Sequence, residues 1–136
     1  MIARSWDGSV PADRGDDYFE YLSRTGIRDL ESTQGNLGVF VMRRVDGDLV
    51  RFRMISLWES SSDIRAFAGD PIERARYYPE DEDFLLELAP EVTHFEVLYG
   101  PEIISRGFVY MRENEDLIKR AQEVVLRAIK KRAPQR

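Results

Sequence analysis

Two strand-like runs joined by Asp46-Gly47-Asp48 constrain this chain more than any other feature. Leu37 to Val45 reads as one strand and Leu49 to Trp58 as the next. Asp-Gly between two such runs marks a tight hairpin, because Gly adopts the positive φ that the turn demands. In the second arm Val50, Phe52, Met54, Ser56 and Trp58 alternate with Leu49, Arg51, Arg53, Ile55 and Leu57. One face of that strand is apolar and the other begins with two arginines.

The flanking segments supply the layer that buries the apolar face. Met1–Trp6 reads as a short first strand, broken by Asp7-Gly8 and then Pro11. From Asp13 to about Leu30, the residues Tyr18, Tyr21, Leu22, Ile27 and Leu30 fall on one helical face. Gly26 weakens the end of that helix, and Gln34-Gly35-Asn36 turns the chain. A serine among Ser60, Ser61 and Ser62 can cap a second helix through Ile64, Ala66 and Phe67, with Asp63 in its first turn. A further helical turn is expected over Ile72 to Tyr77, ended by Pro79. Glu80 to Asp83 is an acidic stretch, and Val92 to Tyr99 reads as the last strand. The order strand, helix, strand, strand, helix, strand is the split βαβ, ferredoxin-like arrangement of the α+β class: an antiparallel sheet with both helices on one face.

Two helices cover only one side of such a sheet. Alternation assigns Phe95, Val97 and Tyr99 to the helix side, and Val92, His94, Glu96 and Leu98 to the open side. Arg51, Arg53, Ile55 and Leu57 join that open side, and Ile2, Arg4 and Trp6 are expected there too. The resulting surface has apolar ends and an Arg, His and Glu centre. An interface between two copies, enclosing a cavity, explains both properties.

The 136 residues suit one such domain, and 2 Trp, 6 Tyr and 7 Phe suffice for its core. There is no cysteine, which excludes disulfides, zinc-thiolate sites, iron–sulfur clusters and thiol nucleophiles. No apolar run approaches the roughly 18 residues of a spanning helix. Met1 to Asp7 lacks the pattern of a signal peptide, so a cytoplasmic protein is expected. Net charge is −5, divided as −9 over residues 1–100 and +4 over 101–136. The acidic part argues against a nucleic-acid surface.

The basic part, residues 101–136, is a distinct C-terminal extension to the domain of residues 1–100. From Asn114, the residues Leu117, Ile118, Ala121, Val124, Val125, Ala128 and Ile129 form one apolar helical stripe, with Asn114 as its cap. The stripe is expected to dock on protein, in the same subunit or its partner, rather than on a membrane surface, because it lacks Trp and Phe anchors.

Three stretches carry a family resemblance: Leu57-Trp58-Glu59-Ser60, Ile64 to Asp70 (IRAFAGD), and Ala75 to Asp81 (ARYYPED) with Phe84-Leu85. His94-Phe95-Glu96-Val97 follows at the matching distance. Over residues 1–100 the chain resembles the antibiotic biosynthesis monooxygenase family, in its group of small bacterial members. The resemblance implies a homodimer whose sheets pack face to face as an α/β barrel. It also implies a choice of activities: oxidation of aromatic polyketide quinols without metal or flavin, haem degradation, isomerisation, or none. The haem-degrading members use an Asn, a Trp and a helix-borne His; here the first strand has no Asn and the sole histidine lies on a strand. The quinol-oxidising members also use Asn, whereas the asparagines here, Asn36 and Asn114, lie at a turn and in the extension.

The expected reaction is therefore cofactor-independent oxidation of an electron-rich aromatic or quinol; the alternative is a non-catalytic ligand-binding or structural dimer. His94 is the candidate base, with Arg4 or Arg53 holding an oxyanion. Trp6, Trp58, Tyr77 and Tyr78 are the candidate contacts to a flat aromatic ligand. Glu80, Asp81, Glu82 and Asp83 lack the EF-hand spacing and read as a solvated loop, so no metal is expected, and no cofactor. Phosphate-loop, dinucleotide and Gly-x-Ser-x-Gly spacings are absent.

Overall fold

A computed structural model describes residues 1–101 and 115–132. The hairpin forms where its turn residues place it. Strand β2 (Asn36–Asp46) pairs antiparallel with β3 (Leu49–Trp58), setting Val45 opposite Val50, with Gly47 at φ 60° between them. β3 then pairs with β1 (Ile2–Pro11), and β1 with β4 (Thr93–Glu96), both antiparallel. The sheet order is β2-β3-β1-β4, the ferredoxin-like order expected from the sequence.

The first strand is ten residues long and runs through Asp7-Gly8. Gly8 is a packing requirement there, not a breaker. A Cβ at this position would lie 2.4 Å from the Trp6 indole ring, which folds back across the strand. Pro11 stands at the strand's last position.

The first helical segment is split. Helix α1 (Gly15–Arg24) ends at Thr25, and α2 (Gly26–Ser32) begins after it. The Thr25 hydroxyl donates to Tyr21 O at 2.7 Å, a local bond of the kind that competes with continued helix. Helix α3 (Ser61–Ala68) is capped as its sequence suggests: Asp63 N–H donates to Ser60 Oγ at 3.3 Å.

No helical turn forms over residues 72–77. That stretch is held against residues 90–92 instead, through Ala75 N–H to Pro90 O at 2.9 Å and Val92 N–H to Glu73 O at 2.8 Å. Long-range backbone pairing wins over the local propensity. The short helix α4 (Asp81–Phe84) follows.

Partner registers assign the sheet faces. Arg4 lies opposite both Ser56 and His94, and Trp6 opposite Met54. These side chains therefore share the face of Phe52 and Met54, under the helices. Arg53 lies opposite Asp7 and Met42, and Phe40 opposite Ile55, on the other face. Phe95 joins Ala3 on that open face and is 57% exposed. The expected assignments of β1 and β4 are thus reversed: Arg4, Trp6 and His94 face the helices, and Phe95 faces outward.

The core lies between the sheet and the helices in two clusters. One holds Trp6, Val10, Tyr18, Tyr21, Leu22, Val50 and Phe52; the other holds Leu30, Trp58 and Ile64. The chain divides into two compact units, Met1–Leu98 and Tyr99–Arg136. The second contains helix α5 (Glu115–Arg132), on which Val124, Val125 and Ile129 are exposed. The expected cap Asn114 lies outside the described residues. None of the described helices is long and apolar enough to cross a membrane.

Candidate functional site: an aromatic cavity under the helices

On the open sheet face a groove of about 440 Å³ runs beside Met42, Arg51 and Arg53, and a cavity that brings other expected residues together lies between the sheet and the helices. Its floor is Arg4 and Trp6 of β1 with Met54 and Ser56 of β3. Its walls are Tyr18 and Leu22 of α1, Leu30 of α2, Phe67 of α3, and the Arg76-Tyr77-Tyr78 segment with Asp81. About 40 Å³ inside it is open to a water-sized sphere. That is below the usual size for a small-molecule site, so an aromatic ligand enters only as the lining side chains move.

Arg4 is 4% exposed. Its guanidinium donates to Ile72 O, to Arg74 O at 2.9 Å and to Nε2 of His94 at 3.0 Å. Burial lowers its pKa from 12.5 to about 10, against the opposing pull of Glu73, so it stays cationic at neutral pH. Burial, and then the Arg4 charge, lower the pKa of His94, which leaves the ring neutral. Arginine can only donate. Nε2 must therefore accept, and Nδ1 carries the ring proton. The single lone pair of His94 is engaged by Arg4, so this histidine positions the guanidinium and has no free site for a substrate proton.

The tyrosines are anchored. Trp6 Nε1 donates to the Tyr77 hydroxyl at 3.2 Å, and that hydroxyl donates to Ala89 O at 2.6 Å. The two rings meet edge to face with centroids 6.4 Å apart. The Tyr78 hydroxyl donates to Asp29 Oδ2 at 2.7 Å.

Asp81 is the residue that the sequence reading passed over. It sits in an acidic run whose other members are exposed, yet it is 3% exposed itself. Its Oδ1 accepts from the Tyr18 hydroxyl at 3.0 Å, and its Oδ2 accepts from Tyr78 N–H at 2.6 Å. Burial raises its pKa, and the two hydrogen bonds offset part of that rise. Nothing in four consecutive acids distinguishes the second; only the turn of α4 aims it inward.

Arg4, Trp6, Tyr77 and Tyr78 thus meet at one cavity, with His94 behind Arg4. Two expected site residues lie elsewhere. Arg53 is on the opposite face of the sheet, paired with Asp7 at 2.7 Å. Trp58 is fully buried in the core, its Nε1 donating to Ser56 Oγ at 2.8 Å, and it does not line the cavity. Among the described residues no group of three or more His, Asp or Glu is placed to hold a metal ion.

Solved structures share this architecture. A candidate antibiotic biosynthesis monooxygenase from Nitrosomonas europaea is 17% identical and superposes with a TM-score of 0.52, covering 73% of this chain and all of its own. The chain has the antibiotic biosynthesis monooxygenase fold. The same fold is seen in the heme-degrader MhuD from Mycobacterium tuberculosis, solved with two hemes bound in its active site. MhuD is 22% identical, with a TM-score of 0.51 over 74% of this chain and 99% of its own.

The monooxygenase fold does not account for the whole chain. Residues 80–136 match the ribonuclease J C-terminal domain. Ribonuclease J 1 of Streptococcus pyogenes is 56% identical over 34 residues, which are 25% of this chain and 6% of that protein. Ribonuclease J 2 of Staphylococcus aureus is 41% identical over 58 residues, 42% of this chain and 10% of that protein. The chain therefore spans about a tenth or less of these relatives' length. The match begins inside the sheet-bearing unit and crosses the boundary after Leu98.

Proposed function

We propose that the first unit binds a planar electron-rich aromatic or quinol in this cavity and oxidises it with dioxygen, without metal or flavin. Asp81 carries the reading. It is a buried carboxylate of raised pKa, lining the same aromatic cavity as a buried guanidinium. A carboxylate of raised pKa is a stronger proton acceptor than an exposed one. Asp81 takes a proton from the bound substrate, and Arg4 steadies the enolate that forms. The enolate supplies electrons to dioxygen. At a ring methylene, as in anthrone, one oxygen atom replaces the two hydrogens as a carbonyl and the other leaves as water; a quinol gives up its two hydroxyl hydrogens to dioxygen, forming the quinone and hydrogen peroxide. Trp6 and Tyr77 keep the ring planar and dry. This reading moves the base from His94 to Asp81 and leaves Arg53 and Trp58 without a chemical role.

The test is oxygen uptake with anthrone or 1,4-naphthohydroquinone, corrected for spontaneous oxidation. The protein should accelerate uptake, and folded Asp81→Asn should lose about 100-fold or more of that acceleration. A folded variant that keeps the rate removes Asp81 from the chemistry. No protein-dependent uptake with either substrate defeats the oxidase reading and leaves ligand binding alone.

The reading includes a homodimer through the open sheet face, as the family resemblance implies. Phe40, Met42 and Phe95 are exposed there beside Ile55, around Arg51 and Arg53. Such a face favours a second sheet over water. Sedimentation equilibrium at micromolar concentration should return twice the chain mass of 15.9 kDa. Replacing Phe95 by Glu should shift it toward the monomer. A wild-type monomer under those conditions excludes the barrel.

A further inference from the structure

We infer that the cavity selects an organic anion, with a ligand carboxylate or enolate seated on Arg4. This narrows the ligand class of the aromatic-cavity reading and rests on it. The observation is a buried cation without a counter-ion. All three partners of the Arg4 guanidinium are neutral: two backbone carbonyls and the imidazole of His94. Among the described residues no carboxylate forms an ion pair with it. Glu73, the acid whose field it feels, is exposed and makes no bond to it.

Burying an unpaired ion costs several kcal/mol, and folded proteins rarely leave the charge unmatched. A neutral side chain could tether the same two carbonyls to β1. What the guanidinium adds is charge and surplus donors. Its three contacts engage Nη1 twice and Nη2 once. Of its five N–H groups, Nε–H and one on Nη2 have no acceptor among the described residues. A carboxylate supplies the missing charge and two acceptors together.

His94 serves this arrangement by holding the fork while staying neutral itself, so it does not compete for the anion. Arg76 also lines the wall, but it is paired with Asp29 at 3.5 Å, and Asp81 lines the same wall, which leaves Arg4 as the cation without a carboxylate partner. Residues 1–100 as a whole carry a net charge of −9, which repels anions. Anion preference would therefore come from the cavity and not from general electrostatic attraction.

The full chain is titrated at pH 7.5 with 4-hydroxybenzoate and, separately, with neutral 4-hydroxybenzamide, followed by tryptophan fluorescence. The acid should bind at least about tenfold tighter, the worth of one charge-assisted hydrogen bond. Arg4→Gln should abolish that preference, the acid's affinity falling to that of the amide. Because Arg4 also tethers residues 72–74, Arg4→Lys replaces Arg4→Gln if the latter does not fold; it keeps the charge, loses the fork, and should retain a reduced preference. Equal binding of acid and amide by the wild-type chain overturns the anion inference and leaves the aromatic cavity standing. An undiminished preference in a folded Arg4→Gln protein overturns the role of Arg4. Binding of neither compound overturns the aromatic-cavity reading itself, and this inference with it.

Discussion

Trp58→Ala should destabilise the first unit by about 3–5 kcal/mol, the usual cost of emptying a fully buried Trp site. For a unit of this size that lowers the Tm by more than about 12 °C. Trp58 is 0% exposed, packs with Leu30 and Ile64, and meets Phe67 with ring centroids 6.1 Å apart. Its removal also strips the Ser56 hydroxyl of the indole N–H. Trp58→Phe restores most of the volume and should recover more than half of the loss. Thermal unfolding followed by circular dichroism checks both. If Trp58→Ala keeps the wild-type Tm yet weakens binding of an aromatic ligand, Trp58 is a ligand contact and the packing account is wrong.

The parts of the fold written in local chemistry could be read from the sequence. The Asp46-Gly47-Asp48 turn, the Ser60 cap and the alternation of Val50, Phe52, Met54, Ser56 and Trp58 each depend on a few neighbouring residues, and each sits where expected. What was illegible depends on distant partners. Gly8 reads as a breaker until the Trp6 ring is seen lying across it. Residues 72–77 carry helical spacing but pair with 90–92, and no local pattern announces that.

The faces of β1 and β4 were illegible for a related reason. Four-residue β4 has too few positions for alternation to fix its inward face. Phe95-Val97 looks like the core side because it is apolar, whereas the inward side holds His94, a polar residue kept under the helices by Arg4. A hydrophobic pattern cannot anticipate a buried polar network, since such residues satisfy one another and not the average rule. The same argument covers Asp81. Its burial is tolerable only because Tyr18 and the Tyr78 amide meet it, and Tyr18 lies 63 positions away in the chain.

Tyr18→Phe should therefore be a pH-dependent lesion. The phenol donates to Asp81 Oδ1 in the core, and losing it leaves a buried acceptor unmatched at a cost of about 1–3 kcal/mol near pH 7. Burial already raises the Asp81 pKa in the folded chain, and the Tyr18 bond restrains that rise. The sign follows from linkage. A carboxyl whose folded pKa lies above its unfolded value stabilises the fold most below the ordinary carboxylate range, and that contribution is lost as pH rises through the folded pKa. Removing the restraint moves the folded pKa further up, so the variant loses more than the wild type on the alkaline side. The stability gap should be smallest below the ordinary carboxylate range, where Asp81 is protonated in both proteins, and should widen as pH rises through the folded pKa. Urea unfolding of the two proteins at matched pH values measures the gap. A gap that stays constant across that range would mean that Asp81 does not titrate there and that the phenol hydroxyl contributes equally at every pH. The Asp81–Tyr18 pair would then be a structural hydrogen bond, and a raised pKa would no longer support the choice of Asp81 as the base.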